Sequence, residues 1–415
     1  NGAENNGGTG TAIISDGGMW NAIGGISIIE NAGNGITLDG GTLKIDSFAL
    51  KDGGILTWTS GTMMTDATIE TDQTFTVTGD SDCTLVGELS LDGNLVVDGK
   101  FSLSEGLLAI GKTIGGNGTL IIDKQLSLGS GSFQGDVILS GNATLDGTIG
   151  TLDTNNFALT ITNGTNLTIT GDSISTINGG LIGQGTLNLD TQSGTLNLTA
   201  QGDFSGTLTL DNGFLYILAP TTSPDFDTLA AINVNGGWLE LQTDLTTVSL
   251  SQSTGTFLNI INNATLTVDN GTGTILEGIV ALGSGNDSGT LISTGDLTVK
   301  QLDDGAYGTL DASGHTLTIE GISTGMTSNN RLTLNANNIV INPANNNTGF
   351  GFVNATGNVT IHLEWQQGRR IRFLSECLQV GCFRDIGHGL RSNLRFRTES
   401  GHRHNGRKRN PSLLP

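Results

Sequence analysis

Gly185-Thr-Leu-Asn-Leu-Asp-Thr-Gln-Ser-Gly194-Thr-Leu-Asn-Leu198, followed shortly by Gly206-Thr-Leu-Thr-Leu210, repeats one phrase three times. Apolar residues alternate with small polar ones, so an extended strand places its leucines on one face and Thr or Asn on the other. Each copy is bounded by Gly, Asn or Asp, which tolerate the conformations turns require. The copies start 9 and 12 positions apart, one short strand plus one corner. Looser copies are Ala143-Thr-Leu145, Leu159-Thr-Ile161, Leu167-Thr-Ile169, Leu297-Thr-Val299, Leu317-Thr-Ile319 and Leu332-Thr-Leu334. Such recurrence predicts an all-β coil of strands about three to five residues long, stacked turn on turn, with roughly 20–25 residues per turn. Leu187, Leu189, Leu196, Leu198, Leu208 and Leu210 are predicted to point inward. Turn dipeptides such as Asp92-Gly93 and Asp98-Gly99 also fit hairpins, so an antiparallel meander or sandwich is the rival fold. The short strands and the persistence of the phrase favour the coil.

Composition agrees. A chain of 415 residues is long for one globular core but ordinary for a fold that grows along one axis. It has 64 Gly and 5 Pro with no three-residue period, unlike collagen or a Pro-rich linker. Aromatics are 5% of residues, which leaves the interior to Leu, Ile, Val and Ala. No stretch sustains a 3.6-residue period, and Asp227–Ile232 is the nearest helical candidate. No apolar run approaches the ~18 residues of a membrane helix, and no signal peptide is visible. Cys83, Cys377 and Cys382 offer neither a disulfide framework nor metal-ligand spacing, and Cys83 reads as a small buried hydrophobe.

Charge divides the chain. Residues 1–361 carry 7 Lys and Arg against 35 Asp and Glu, a net −28, whereas residues 362–415 carry 11 against 4, a net +7. We therefore expect a solenoid body over 1–361 and a non-repeat basic tail over 362–415, disordered or not the natural continuation of the coil. The body has one Arg, Arg331, and the tail has ten. Pro220 and Pro224 interrupt the phrase, so a loop or kink is expected near 219–231, because Pro cannot sit in an interior ladder. An acidic body repels nucleic acid and anionic membranes.

Candidate chemistry is sparse. Asp80 with Asp82, Asp225 with Asp227, and Asp303 with Asp304 could serve acid–base or metal roles, but acidic pairs also arise at the turns of an acid-rich chain. Leu282-Gly-Ser-Gly-Asn-Asp-Ser-Gly289 approximates one Gly-rich calcium nonapeptide, whereas calcium rolls need tandem copies. Sequons such as Asn117-Gly-Thr119, Asn166-Leu-Thr168 and Asn354-Ala-Thr356 arise wherever an Asn corner precedes a Thr strand. His315 reads as a surface residue at a strand start. There is no Ser-His-Asp set, phosphate loop or zinc spacing. We assign no catalytic, cofactor-binding or metal-binding residue.

Two resemblances follow. Gln184-Gly-Thr-Leu-Asn-Leu-Asp-Thr-Gln-Ser-Gly-Thr-Leu-Asn-Leu-Thr199, Leu332-Thr-Leu-Asn-Ala-Asn-Asn-Ile-Val-Ile-Asn342 and Phe352-Val-Asn-Ala-Thr-Gly-Asn-Val-Thr-Ile361 resemble the passenger repeats of filamentous-haemagglutinin-type adhesins and autotransporters. The likeness covers about residues 36–361. It implies a right-handed parallel β-helix, non-catalytic, exported through outer-membrane machinery of a Gram-negative-type cell and displayed or released as an adhesin. Its partners would be cell-surface glycans or proteins. The chain then reads as a fragment of a longer one. Asp303-Asp304-Gly305 and Gly387-His388-Gly389 resemble elements of pectin-hydrolase β-helix enzymes, which implies the Asp pair as acid and base with His388 beside them. A polysaccharide-active enzyme is therefore the alternative function, with a calcium-stabilised structural surface protein behind it.

Overall fold

The computed structural model describes residues 10–361 except 30–32, 51–52, 72, 109–112, 123–124, 128–131, 134–135, 140–142, 146–150, 171–174, 219–225, 227, 284–286, 304–306, 322–330 and 342–351. The described chain is all β, and its paired strands run parallel, each over its counterpart in the next turn. It is a β-solenoid. Thr119 stacks on Asp136, 17 positions on, and Thr11 on Gly35, 24 positions on. Turns thus vary around the expected length, because corners and loops can lengthen without disturbing the ladder.

The alternating phrase does what its period dictates. Leu187, Leu189, Leu196, Leu198, Leu208 and Leu210 all point inward, each at most 2% exposed. Leu187 is in register with Leu208 and Leu208 with Ile232, while Leu196, Leu215, Leu239, Leu258, Val280 and Leu302 form one continuous inward column. Each fully buried Leu contributes roughly 1.5–3 kcal/mol relative to exposure. Stacking like on like keeps the narrow interior filled in every turn.

Strands are longer than the phrase predicts. Thr186–Gln201 and Gly35–Leu50 each run 16 residues, and Ile55–Ile69 runs 15. Two phrases are joined through a corner that stays paired on both sides. Within Thr186–Gln201, Thr186–Leu189 pair with Thr207–Leu210, the register shifts at Asp190, and Thr195–Leu198 pair with Phe214–Ile217. The buried hydroxyl of Thr191 donates to the Gly194 carbonyl at 3.1 Å and fastens this corner.

The helical candidate Asp227–Ile232 is not helical where described. Leu229 bridges to Thr247, and Ala231–Val234 is a strand stacked on Thr207–Leu210. Leu229, Ile232 and Val234 are fully or almost fully buried, and the stacking face overrides a weak local helical preference. Pro220 and Pro224 lie outside the described residues, and the strands flanking them are in register.

Near the first third of the coil an aromatic group fills the interior. Trp58, Phe75 and Phe101 meet with ring centroids 5.6–6.0 Å apart. Cys83 packs beside them, fully buried, its Sγ donating to the Trp58 carbonyl at 3.2 Å. Burial, with the Asp82 charge adding to it, pushes the Cys83 thiol up to about 12. The thiol is a neutral core group, as the sequence suggested.

Candidate functional site

Of the three acidic pairs, Asp80 with Asp82 is the one whose two members both lie among the described residues. Asp82 opens the strand Asp82–Val86 and is 62% exposed. Its Oδ2 accepts from Lys100 Nζ, one turn on, at 3.1 Å. Asp80 lies in the turn before that strand, and Asp303 follows the strand Leu297–Leu302. Asp304, Asp225, Asp227, Gly305 and the Gly387-His388-Gly389 element lie outside the described residues. In the calcium-like stretch, Leu282 is a fully buried core residue and Ser288 opens the next strand, Ser288–Ser293, while residues 284–286 lie outside the description. His315 sits half-buried on the strand Tyr307–Ile319. Among the described residues no three His, Cys, Asp or Glu side chains are placed to hold a metal ion.

What the fold does organise is its outside. Outward positions of one strand lie over outward positions of the next, so equivalent side chains form rows along the axis at about 4.8 Å spacing. Thr265, Thr290, Thr309 and Thr333 make one such row. In another, Asn233 Nδ2 donates to Thr209 Oγ1 at 3.4 Å and Ser251 Oγ donates to Asn233 Oδ1 at 2.8 Å. Asn212 donates to Asp190, Asn235 to Asp211 and Asn335 to Asp311, each across one turn at 2.8–3.2 Å. Lys300 reaches Glu320 at 2.7 Å, and this bond raises the Lys300 pKa.

One face departs from small polar residues. Phe214, Trp238 and Phe257 occupy one outward row, continued by Ile279. Two positions along the same strands run Tyr216, Glu240, Asn259 and Ala281. The Trp238 and Phe257 rings stack with centroids 4.9 Å apart and planes 14° apart. Their faces meet each other, both rings are half-buried, and Phe214 in the same row is 38% exposed. Glu240 is held from two sides: Gln242 Nε2 donates to Oε1 at 2.7 Å and Asn259 Nδ2 to Oε2 at 3.0 Å. Asn262 Nδ2 in turn donates to Gln242 Oε1 at 3.0 Å. Partial burial and the Glu240 charge raise the Tyr216 pKa, so its phenol stays a neutral donor.

Sequence reading missed this strip. Its signal is the phrase with an aromatic residue in the outward place: Phe214-Leu-Tyr-Ile217, Trp238-Leu-Glu-Leu241 and Phe257-Leu-Asn-Ile260. Compared with known protein families, curated proteins and solved structures, the chain matches none.

Proposed function

We propose that residues 1–361 form a secreted or surface-displayed passenger, structural or adhesive and without catalytic activity, carried across the outer membrane of a Gram-negative-type cell. One observation carries this reading. The outside of the coil is built of rows, such as Thr265–Thr290–Thr309–Thr333, that repeat one small polar group turn after turn. A repeated row suits many weak contacts with an extended partner, which sum by multivalency. A reacting centre needs unlike groups converging on one point. The phrase likeness to adhesin passengers and the acidic, Cys-poor body support the same reading. Its partners are cell-surface glycans or proteins.

The test is a pair of assays on the purified chain. Beads coated with it are expected to retain target cells above albumin-coated beads, and the soluble chain to release no reducing sugar from pectin, alginate or other uronates. Reducing-sugar release that vanishes in the double variant Asp303→Asn, Asp304→Asn would overturn the reading in favour of a hydrolase.

A further inference from the structure

We infer that the strip Phe214–Trp238–Phe257, with its neighbouring row Tyr216–Glu240–Asn259, is a binding site for a neutral saccharide chain lying along the coil axis. The inference rests on the adhesive reading above and names its site and its ligand class.

Three observations lead there. The first is placement. Aromatic residues are scarce in this chain, and Phe48, Trp58, Phe75, Phe101 and Phe204 are buried in the interior. Here aromatic side chains take outward positions on three consecutive turns. Exposed aromatic surface held on a rigid sheet is characteristic of recognition sites rather than of solvated faces.

The second is the pairing of an apolar row with a polar one. The rows lie two residues apart on each strand, roughly 7 Å, and repeat at about 4.8 Å along the axis. A sugar ring has the matching duality, C–H groups on one side and hydroxyls at its rim. The apolar row receives the former. Tyr216, Glu240 and Gln242 receive the latter, and the amide bonds from Gln242 and from the buried Asn259 hold the Glu240 carboxylate in a fixed direction beforehand. Trp238 and Phe257 stack ring on ring and are half-buried, and Phe214 offers the more open ring.

The third is charge. Residues 125–299 contain neither Lys nor Arg, so the strip has no cation for sulfate, phosphate or uronate groups, and acidic glycans are repelled. A cationic peptide is disfavoured for a different reason. Glu240 is the one carboxylate in the two rows, and both of its oxygens already accept amide hydrogen bonds. A hydroxyl-rich neutral chain uses the remaining acceptor positions without needing a full counter-charge.

The experiment is isothermal titration of the full chain with four neutral hexasaccharides, of β-linked glucose, xylose, mannose and N-acetylglucosamine, alongside a heparin hexasaccharide and an oligo-arginine peptide. Saturable binding of at least one neutral sugar is expected, with none of heparin or oligo-arginine. Phe214→Ala and Glu240→Gln are each expected to weaken it at least tenfold, whereas Lys100→Gln, in an exposed ion pair several turns away, leaves it unchanged. Trp238→Ala is expected to lose more, and Phe214→Ala guards against misfolding of that variant because Phe214 is partly exposed. Absence of binding to all four sugars, binding indifferent to Phe214→Ala, or oligo-arginine binding abolished by Glu240→Gln would each overturn the inference. Release of new reducing ends from a bound sugar would instead sink the non-catalytic reading and leave the strip standing as a saccharide site.

Discussion

Leu196 lies in register with Leu215 of the next turn, the two side chains 0% and 3% exposed. The contact is one step of a column that reaches Leu302, so a change at Leu196 is felt by neighbours above and below. Leu196→Asp buries a charge with no partner and is expected to cost several kcal/mol. Leu196→Ala leaves a cavity and is expected to cost about 2–5 kcal/mol. Thr195→Asp, one residue away but outward, is expected to stay within about 0.5 kcal/mol of the parent. Chemical unfolding of the three variants checks this. Equal losses at positions 195 and 196 would refute the inward assignment.

Corners make a second, opposite prediction. Gly237 has φ +73°, and a Cβ there would lie 2.0 Å from the Gly213 carbonyl oxygen of the preceding turn. Gly255 has φ +83° but open space around it. Gly255→Ala is expected to lose only the backbone preference, about 1–2 kcal/mol. Gly237→Ala adds a clash with rigid backbone and is expected to lose clearly more, with broadened unfolding as the stacked corners separate. Thermal melts of the two proteins decide the order.

These contrasts explain what could be read from the chain beforehand. The inward leucines were legible because a period of two leaves one choice of face, and every copy of the phrase makes the same choice. Strand length was not, because Asp190 to Ser193 look like a turn in isolation and stay in the strand only through pairing on either side. Asp227–Ile232 misleads for the same reason: the partners of its last two residues, Thr207 and Leu208, lie 24 positions back. The aromatic strip needed the same missing knowledge. Phe214, Trp238 and Phe257 are separated by 24 and then 19 positions, so only the stacked fold reveals that they share a row.

Cys83 gives a pH prediction. Burial raises its pKa to about 12, above the ordinary thiol value of 9.0. The folded state therefore holds the proton more tightly than the unfolded one. The resulting stabilisation is complete below about pH 9 and is lost as pH rises toward 12. With Cys377 and Cys382 replaced by Ser, the fall in stability between about pH 8 and pH 11 is expected to be shallower in Cys83→Ala than in the parent. The native thiol is also expected to react with a disulfide reagent far more slowly than the unfolded one. Rapid labelling of the folded chain would contradict the burial of this thiol.

The outer rows bear on function, and Asn233 tests what they are for. Its amide donates to Thr209 and its carbonyl accepts from Ser251, so one residue links three turns. If the row held the coil together, Asn233→Ala would cost as much as a core change. These bonds lie at the surface, however, where water replaces a lost partner, and a net hydrogen bond there is worth about 0.5–1.5 kcal/mol or less. Inward columns such as Leu208–Ile232–Leu250 carry the stacking at the same turns. Asn233→Ala is therefore expected to cost no more than about 1 kcal/mol, and Asn233→Ala with Ser251→Ala scarcely more, since both remove the same bond. Cell retention by coated beads is expected to respond to changes in the outer rows that leave the melting temperature almost unmoved. A row variant that unfolds the coil would assign the polar rows to stability and leave display to the aromatic strip alone.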